Sequence, residues 1–308
     1  MDPLADLLDL SRVRGALVAN VRGRAPWGLA LPASPGASFH AVTSGTAWAR
    51  VDGMAPVQLM PGDLLLFPNG SEHRLSSAPD VSCRPFDRAL KEESMTPAGD
   101  LELGENGAAT AFVCAAYEYD LELAEPLISL LPPVLHVPAD PVAAREITVL
   151  VELLAVEAGT RSPGGRAAAA RLLDLLLIAA IRHWTRVQPD DGTPSWLMAL
   201  RDPPVARVLA LLHARPAESW TLELLAREVH LSRATLARRF TSAVGESPLS
   251  YLARWRMHLA AQRLKDTSDA VATIARDVGY TSEYAFSRAF SRHRGQPPGR
   301  YRRAARAV

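Results

Sequence analysis

The strongest constraint on this chain is a pattern written twice in its last third. Leu222 to Val229 reads as a short apolar helix, then come His230-Leu231 and Ser232-Arg233-Ala234-Thr235-Leu236-Ala237-Arg238-Arg239-Phe240. Val271 to Val278 repeats the arrangement, followed by Gly279-Tyr280-Thr281 and Ser282-Glu283-Tyr284-Ala285-Phe286-Ser287-Arg288-Ala289-Phe290. Each unit spells helix, tight turn, capped helix, and the two serines stand 50 residues apart. A serine at a helix start can accept from the orphan N–H groups of the first turn. Leu236 and Phe240, like Phe286 and Phe290, are four apart and share one helical face, which predicts a buried stripe. The opposite face is left to Arg233, Ala234, Ala237 and Arg238 in one unit, and to Glu283, Tyr284, Ser287 and Arg288 in the other. Arginine and small polar groups on the open face of a helix after a sharp turn fit a DNA major groove.

Charge points the same way. The net charge of +1 conceals two opposed halves: residues 204–308 carry 18 Lys or Arg against 8 Asp or Glu, and residues 1–203 carry 16 against 25. A basic segment joined to an acidic one is the footprint of a nucleic-acid reader attached to something else.

The motif extends beyond the two units. Leu225-Ala226-x-x-Val229-x-Leu231-Ser232, Leu236-x-x-x-Phe240, Gly245-x-x-Pro248 and Tyr251-Leu252-x-x-Trp255-Arg256 lead into Ile274-Ala275-x-x-Val278-Gly279-Tyr280, Phe286-x-x-x-Phe290 and Gly295-x-Pro297-Pro298-x-x-Tyr301-Arg302. From about Trp220 to Tyr301 the chain thus resembles the DNA-binding domain of the AraC/XylS family of bacterial transcription regulators. The resemblance implies two recognition helices in successive major grooves of double-stranded promoter DNA, held apart by a long helix near Pro248–Lys265. It assigns DNA contact to Arg233, Ala234, Thr235, Ala237 and Arg238 in one groove, and to Ser282, Glu283, Tyr284, Ser287 and Arg288 in the next. Arg238 is the candidate for a bidentate guanine contact. Arg239, Arg256, Arg292 and Arg294 are expected to face phosphate or solvent. Family precedent implies activation rather than repression, through contact with RNA polymerase.

At 308 residues the chain is long enough for about two domains. Its start, Met1-Asp2-Pro3-Leu4, has no basic segment before an apolar run and reads as no signal peptide. The most apolar window, Leu172 to Ile181, is short and interrupted by Asp174, so a buried helix is expected there rather than a membrane span. Two cysteines, Cys83 and Cys114, make no disulfide framework. A cytoplasmic protein is expected, with no membrane partner.

Residues 15–75 have a different texture. Short apolar runs such as Phe39-His40-Ala41-Val42, Ala47-Trp48-Ala49-Arg50-Val51 and Leu64-Leu65-Leu66-Phe67 are separated by Gly, Pro and Ser, which predicts many short strands in a β jelly-roll. Pro61-Gly62-Asp63, the strand Leu64–Phe67, Pro68-Asn69-Gly70 and His73 resemble the second cupin motif, where a histidine often ligates a metal. The first cupin motif is incomplete, with only His40 in the corresponding strand. This is similar to the degenerate cupin-type sensor domains of many such regulators. The fold expected is therefore α+β with two domains: a cupin-like barrel plus helices over 1–190, a linker over 191–203, and an all-α double helix-turn-helix domain over 204–308. Residues 76–109 read as a long loop. Helices are predicted over Val142–Glu157 and Gly165–Arg186, and in similar regulators such helices (about 141–187) carry dimerisation, so a homodimer is expected.

Three sensing chemistries stay open. His40, His73 and Cys114 offer imidazole and thiolate ligands suited to zinc or another divalent metal. Cys83 and Cys114 offer a redox pair if their Cα atoms lie within about 7 Å. An organic effector, not identified by the sequence, would be lined by Trp27, Phe39, Trp48 and Phe67. The alternative class is a metal-dependent cupin enzyme with a helical accessory domain, and the incomplete first motif argues against it. A pure protein-interaction module leaves the doubled motif and the charge split unexplained.

Overall fold

In a computed structural model of the chain, the residues described are 3–6, 13–97, 99–119, 123–124, 128, 131–139, 145–159, 163–187 and 196–306. They fall into two compact units. One comprises the described residues of Val13–Leu121 and Leu131–Gln188, the other those of Met1–Arg12, Glu122–Leu130 and Pro189–Val308.

The first unit is built on β1 (Val13–Arg24), β2 (Gly28–Leu31), β3 (Ala37–Ser44), β4 (Ala47–Arg50), β5 (Val57–Leu59) and β6 (Leu64–Phe67). It continues with β7 (His73–Ser76), β8 (Arg84–Pro85), β9 (Leu101–Gly104), β10 (Ala109–Tyr119) and β11 (Leu135–Val137). Six strands form one sheet in the order β11-β6-β3-β10-β1-β9, and five form a second in the order β5-β4-β7-β2-β8. Neither sheet closes on itself. Val21, Val42, Leu65, Phe67 and Phe112 of the first sheet and Leu29, Ala49, Leu59 and Leu75 of the second share one buried cluster, so the inner faces meet in a common core.

The run Leu64-Leu65-Leu66-Phe67 does not alternate, and all four residues are buried. The reason is a second layer on the outer face of the six-stranded sheet: α2 (Arg145–Gly159) and α3 (Gly165–Val187) pack on each other and on β1, and α3 also on β11. A strand covered on both sides reads as a continuous apolar run. Helix α2 buries Ile147, Leu150, Val151 and Leu154, the i, i+3, i+4, i+7 set of an amphipathic helix. Asn20 Nδ2 donates to the Ala155 carbonyl at 3.2 Å and fastens α2 to β1.

Residues 76–109 are more structured than their composition predicts. They hold β8, the short helix α1 (Arg88–Ser94) and β9. The Asp87 carboxylate caps α1 by accepting from Leu90 N–H at 2.9 Å. Both strands pair in parallel with partners far away in sequence, β8 with β2 and β9 with β1. The predicted start of the helix at 142–144, residues 188–195 of the connection and residues 7–10 of the opening segment lie outside the described residues.

The described elements from Trp196 onward are helices: α4 (Trp196–Ala199), α5 (Pro203–Ala214), α6 (Leu222–Glu228), α7 (Arg233–Val244), α8 (Pro248–Asp266), α9 (Val271–Asp277), α10 (Glu283–Arg294) and α11 (Pro298–Arg306). Leu236, Phe240, Phe286 and Phe290, the predicted stripes, are fully buried. His213 of α5 lies at the centre of this unit, with Nε2 at 2.6 Å from Tyr251 Oη and its ring stacked on Trp255 at 4.1 Å. Its Nδ1 is 3.1 Å from an Asp6 carboxylate oxygen, which docks the described start of the chain here.

Candidate nucleic-acid interface and a buried histidine pair

Two helix pairs, α6–α7 and α9–α10, share one backbone plan. Each second helix opens on a serine whose hydroxyl accepts from the backbone: Ser232 from Thr235 N–H at 3.1 Å, Ser282 from Ala285 N–H at 3.3 Å. Each turn carries the same back-bonds. His230 N–H reaches the Arg227 carbonyl and Leu231 N–H the Ala226 carbonyl, and Gly279 N–H and Tyr280 N–H reach those of Arg276 and Ala275. Both turns need one residue in the left-handed region, at His230 (φ 54°) and at Gly279 (φ 89°). This is a helix C-terminal motif of the Schellman kind, which swings the chain into the next helix.

With the stripes buried, the outer faces are open. Arg233, Ala234 and Arg238 are exposed on α7, and Thr235 and Ala237 are half-buried. Ser282 is exposed, as are Glu283, Tyr284 and Arg288 of α10, while Ser287 is half-buried. Tyr284 is 72% exposed, an unusual position for an aromatic ring unless it meets a partner, and the Arg288 guanidinium stands 5.8 Å from its centroid. Arg233 and Arg238 make no ion pair or hydrogen bond among the described residues.

Three arginines expected at phosphate or solvent are used internally instead. Arg239 donates to the Asp202 carboxylate at 3.1 and 2.9 Å. Arg256 donates to the Pro216 and Glu218 carbonyls at 2.7 and 2.8 Å and is half-buried, which lowers its pKa. Arg294 lies 2.7 Å from His258 Nδ1 and donates to it. Burial, then the positive charge of Arg294, pushes the His258 pKa down to about 2, so this imidazole is neutral and accepts. Arg292 is exposed as expected. The sequence reading passed over Arg227 and Arg276, exposed residues at matching places near the ends of α6 and α9. Their 49-residue spacing, the same as between Ala226 and Ala275, was the available signal.

In the first unit, His40 of β3 stands directly opposite Cys114 of β10, and His73 opens β7 in the other sheet. His40 Nδ1 is 2.9 Å from Cys114 Sγ, His40 Nε2 is 2.7 Å from His73 Nε2, and His73 Nδ1 is 2.6 Å from the Ser71 carbonyl oxygen. The carbonyl can only accept, so His73 Nδ1 carries a proton. Burial pushes the His73 pKa down to about 4, and burial followed by the nearness of His73 holds His40 well below the usual imidazole range. Both rings are therefore neutral near pH 7. His73 Nε2 must then accept from His40 Nε2–H, and His40 Nδ1 must accept from the Cys114 thiol. The result is a one-directional relay, Cys114 to His40 to His73 to Ser71, that ties the two sheets together with each of these donors matched.

This arrangement uses both nitrogens of His40 in opposite directions. A metal shared by Cys114, His40 and His73 would require that ring to turn, and no group of three such ligand side chains is gathered for an ion among the described residues. Burial also raises the Cys114 pKa, which keeps the thiol protonated. Cys83 is free like Cys114, and its sulfur lies 3.4 Å from Arg50 Nη2 beside the five-stranded sheet, whereas Cys114 belongs to the six-stranded one. Asp63, next to the cupin-like turn, is fully engaged: its oxygens accept from Ala139 N–H at 2.7 Å and Met60 N–H at 3.0 Å, and His136 Nε2 lies 3.2 Å from Oδ2. Of the aromatic residues expected to line a ligand space, Phe39 and Phe67 are buried core instead and Trp48 is half-buried, while Trp27, also buried, lines a cavity at the edge of this unit.

Comparison with known proteins agrees with both halves of this picture. Residues 2–186 match a family model described as Cupin, and residues 225–304 match one described as Helix-turn-helix domain. A putative AraC-like transcription regulator of Streptomyces lividans is 35% identical over 98% of either chain. The HTH-type transcriptional regulator AlkR of Acinetobacter baylyi is 29% identical over 98% of this chain and 99% of its own. The RCS-specific HTH-type transcriptional activator RclR of Escherichia coli is 29% identical over 100% of this chain and 99% of its own. No helix among the described residues is long and apolar enough to cross a membrane.

Proposed function

The chain belongs to the AraC-like transcription regulators, with a cupin domain ahead of a helix-turn-helix domain, and on that premise we propose that its two helix pairs read successive major grooves of one promoter site. It is a DNA-binding regulator and not an enzyme. The observation that carries the reading is the repeated plan itself: two capped helices with buried stripes whose outer faces present Arg233, Ala234, Thr235, Ala237 and Arg238, then Ser282, Glu283, Tyr284, Ser287 and Arg288. Arg227 and Arg276 join them as phosphate contacts. On this reading residues 204–308 form a double helix-turn-helix reader, residues 1–190 a jelly-roll sensor with α2 and α3 as its dimer helices, and the residues between them a linker. The cytoplasmic regulator acts as a homodimer and activates through RNA polymerase, a direction supported by the relative named as an activator.

For the sensor we favour a small organic effector over metal or oxidant. Zinc or another divalent ion at His40, His73 and Cys114 would need the His40 ring to turn, and a Cys83–Cys114 redox pair would start from a Cys114 thiol held protonated by burial.

The test of the reader is Arg238→Ala, assayed by gel shift on a selected operator and on random DNA. Loss of a bidentate guanine contact costs roughly 1–3 kcal/mol of discrimination, about 5- to 150-fold on the operator. Random DNA should lose far less, because its binding comes from phosphate contacts. Equal losses on both would remove Arg238 from the base-reading set.

A further inference from the structure

A cavity of about 600 Å³ opens at one edge of the first unit, between Trp27 at the β1–β2 turn, the segment before β8, α1 and the end of β9. That size suits a small organic molecule. Leu90, Leu103 and Trp27 give it an apolar wall, and Met95 stands 42% exposed at its lip.

The charges around it are unequal. Arg84 is committed, donating through both terminal nitrogens to Glu93 at 3.0 and 2.7 Å. Glu102 and Glu105 line the same cavity, and neither has an ion-pair or hydrogen-bond partner among the described residues. The cavity therefore joins an apolar wall to two carboxylates outside any ion pair among the described residues. Arg22, opposite Glu102 across the strands, is paired with Asp100 at 3.6 Å, and Arg24 shares a neighbouring hollow with both glutamates. The lining holds one arginine against three glutamates, so an anion is disfavoured and a cation gains more than a neutral hydrogen-bond donor would.

We propose that this cavity binds a flat organic cation, its apolar body against Leu90, Leu103 and Trp27 and its charge between Glu102 and Glu105. The site is separate from the His40–His73–Cys114 relay, none of whose members lines it. Helix α1 supplies Leu90 and Glu93, so a bound cation would fix α1 against the sheets. Its role as effector rests on the regulator reading; the binding itself does not.

The test uses the purified full chain without DNA and berberine, a planar quaternary-ammonium probe that brightens on leaving water. The expected result is saturable binding of one probe per chain, displaced by benzyltrimethylammonium and not by benzoate. Glu102→Gln with Glu105→Gln should raise Kd about 3- to 10-fold, the range of two partly exposed charge contacts. Ser82→Trp, at an exposed lining residue, should fill the space and abolish binding. Absence of saturable binding, equal competition by benzoate, or an unchanged Kd in the double variant would each overturn the site. Gel shifts with benzyltrimethylammonium then separate the two readings. A changed DNA affinity makes the cation an effector, and an unchanged one leaves the site standing while removing its regulatory role.

Discussion

The first helix pair opens on Thr221, whose hydroxyl accepts from Leu224 N–H at 3.2 Å, and the second opens on Ala270, which has no side chain to accept. The first turns on a histidine in the left-handed region and the second on a glycine. The outer face of α7 is arginine and alanine, while that of α10 is an acid, a tyrosine, a serine and an arginine. The serine caps of the second helices, the turn hydrogen bonds and the buried stripe are held in common. What stays fixed is therefore the part that sets backbone position, and what varies is local stability and chemistry. A duplicated reader can keep two helices in register while each recognises different bases.

The turn is where the two copies differ most in tolerance. Any Cβ at Gly279 would meet Arg256 Nη2 at 2.7 Å and Ala217 Cα at 2.9 Å, at a φ that side chains rarely adopt. Gly279→Ala should destabilise the second pair by about 2–3 kcal/mol, adding left-handed strain to overlap against backbone. At the matching place His230 already bears a side chain, so His230→Gly should relieve strain and stabilise by about 1 kcal/mol or less. Urea titration with hydrogen exchange read at the Leu231 and Tyr280 amides checks both. Equal effects in the two copies would mean that the turns do not differ in tolerance.

The outer faces give the next largest contrast. Glu283 stands at the first position of α10, where a carboxylate can accept from the cytosine amino group, whereas a glutamine there would pair with adenine. Glu283→Gln should shift preference at one base pair from C to A, by about 1–3 kcal/mol in selection from randomised operators. The first half-site should be unaffected. A general change in affinity with no shift in base preference would place Glu283 on the helix dipole instead.

How much of this was legible in the sequence follows from the range of the forces involved. The helix pairs were legible because a cap and an i, i+4 stripe are local. β8 and β9 were not, since two- and four-residue strands paired in parallel with distant partners leave no local period. Arg239 and Arg256 were misjudged because their partners, Asp202 and the Pro216 and Glu218 carbonyls, lie about 40 residues away. The nearness of His40 and His73 could be guessed from the cupin-like turn. The direction of their protons could not, because it depends on a carbonyl, that of Ser71, being placed against His73 Nδ1. Phe39 and Phe67 looked like ligand lining because aromatic residues on strands read the same whether they face a cavity or another sheet.

The smallest expected effects concern how each pair is held at its first helix. Thr221→Ala should cost about 1 kcal/mol, and Ala270→Ser should add up to about as much, which would bring the two starts closer together. The second start has another support. Arg263 reaches Asp269 just before α9 and Asp277 at its end, and Arg302 donates to the Asp269 carbonyl. The Asp269 carboxyl is held below its ordinary pKa, chiefly by its hydrogen bond from Arg263. Its contribution is therefore present above the unfolded carboxylate pKa and is lost as pH falls through the lower folded value. These side chains are over a third exposed, so salt screens them, whereas the Thr221 hydrogen bond is nearly indifferent to salt. Raising NaCl from 50 mM to about 1 M, where the Debye length falls to about 3 Å, should speed hydrogen exchange at the start of α9 and leave that of α6 unchanged. Ala270→Ser should remove most of the difference by giving α9 a cap that salt does not weaken. If both helices respond alike, the Arg263 pairs contribute nothing measurable and α9 is held by the burial of Ile274 and Ala275 alone.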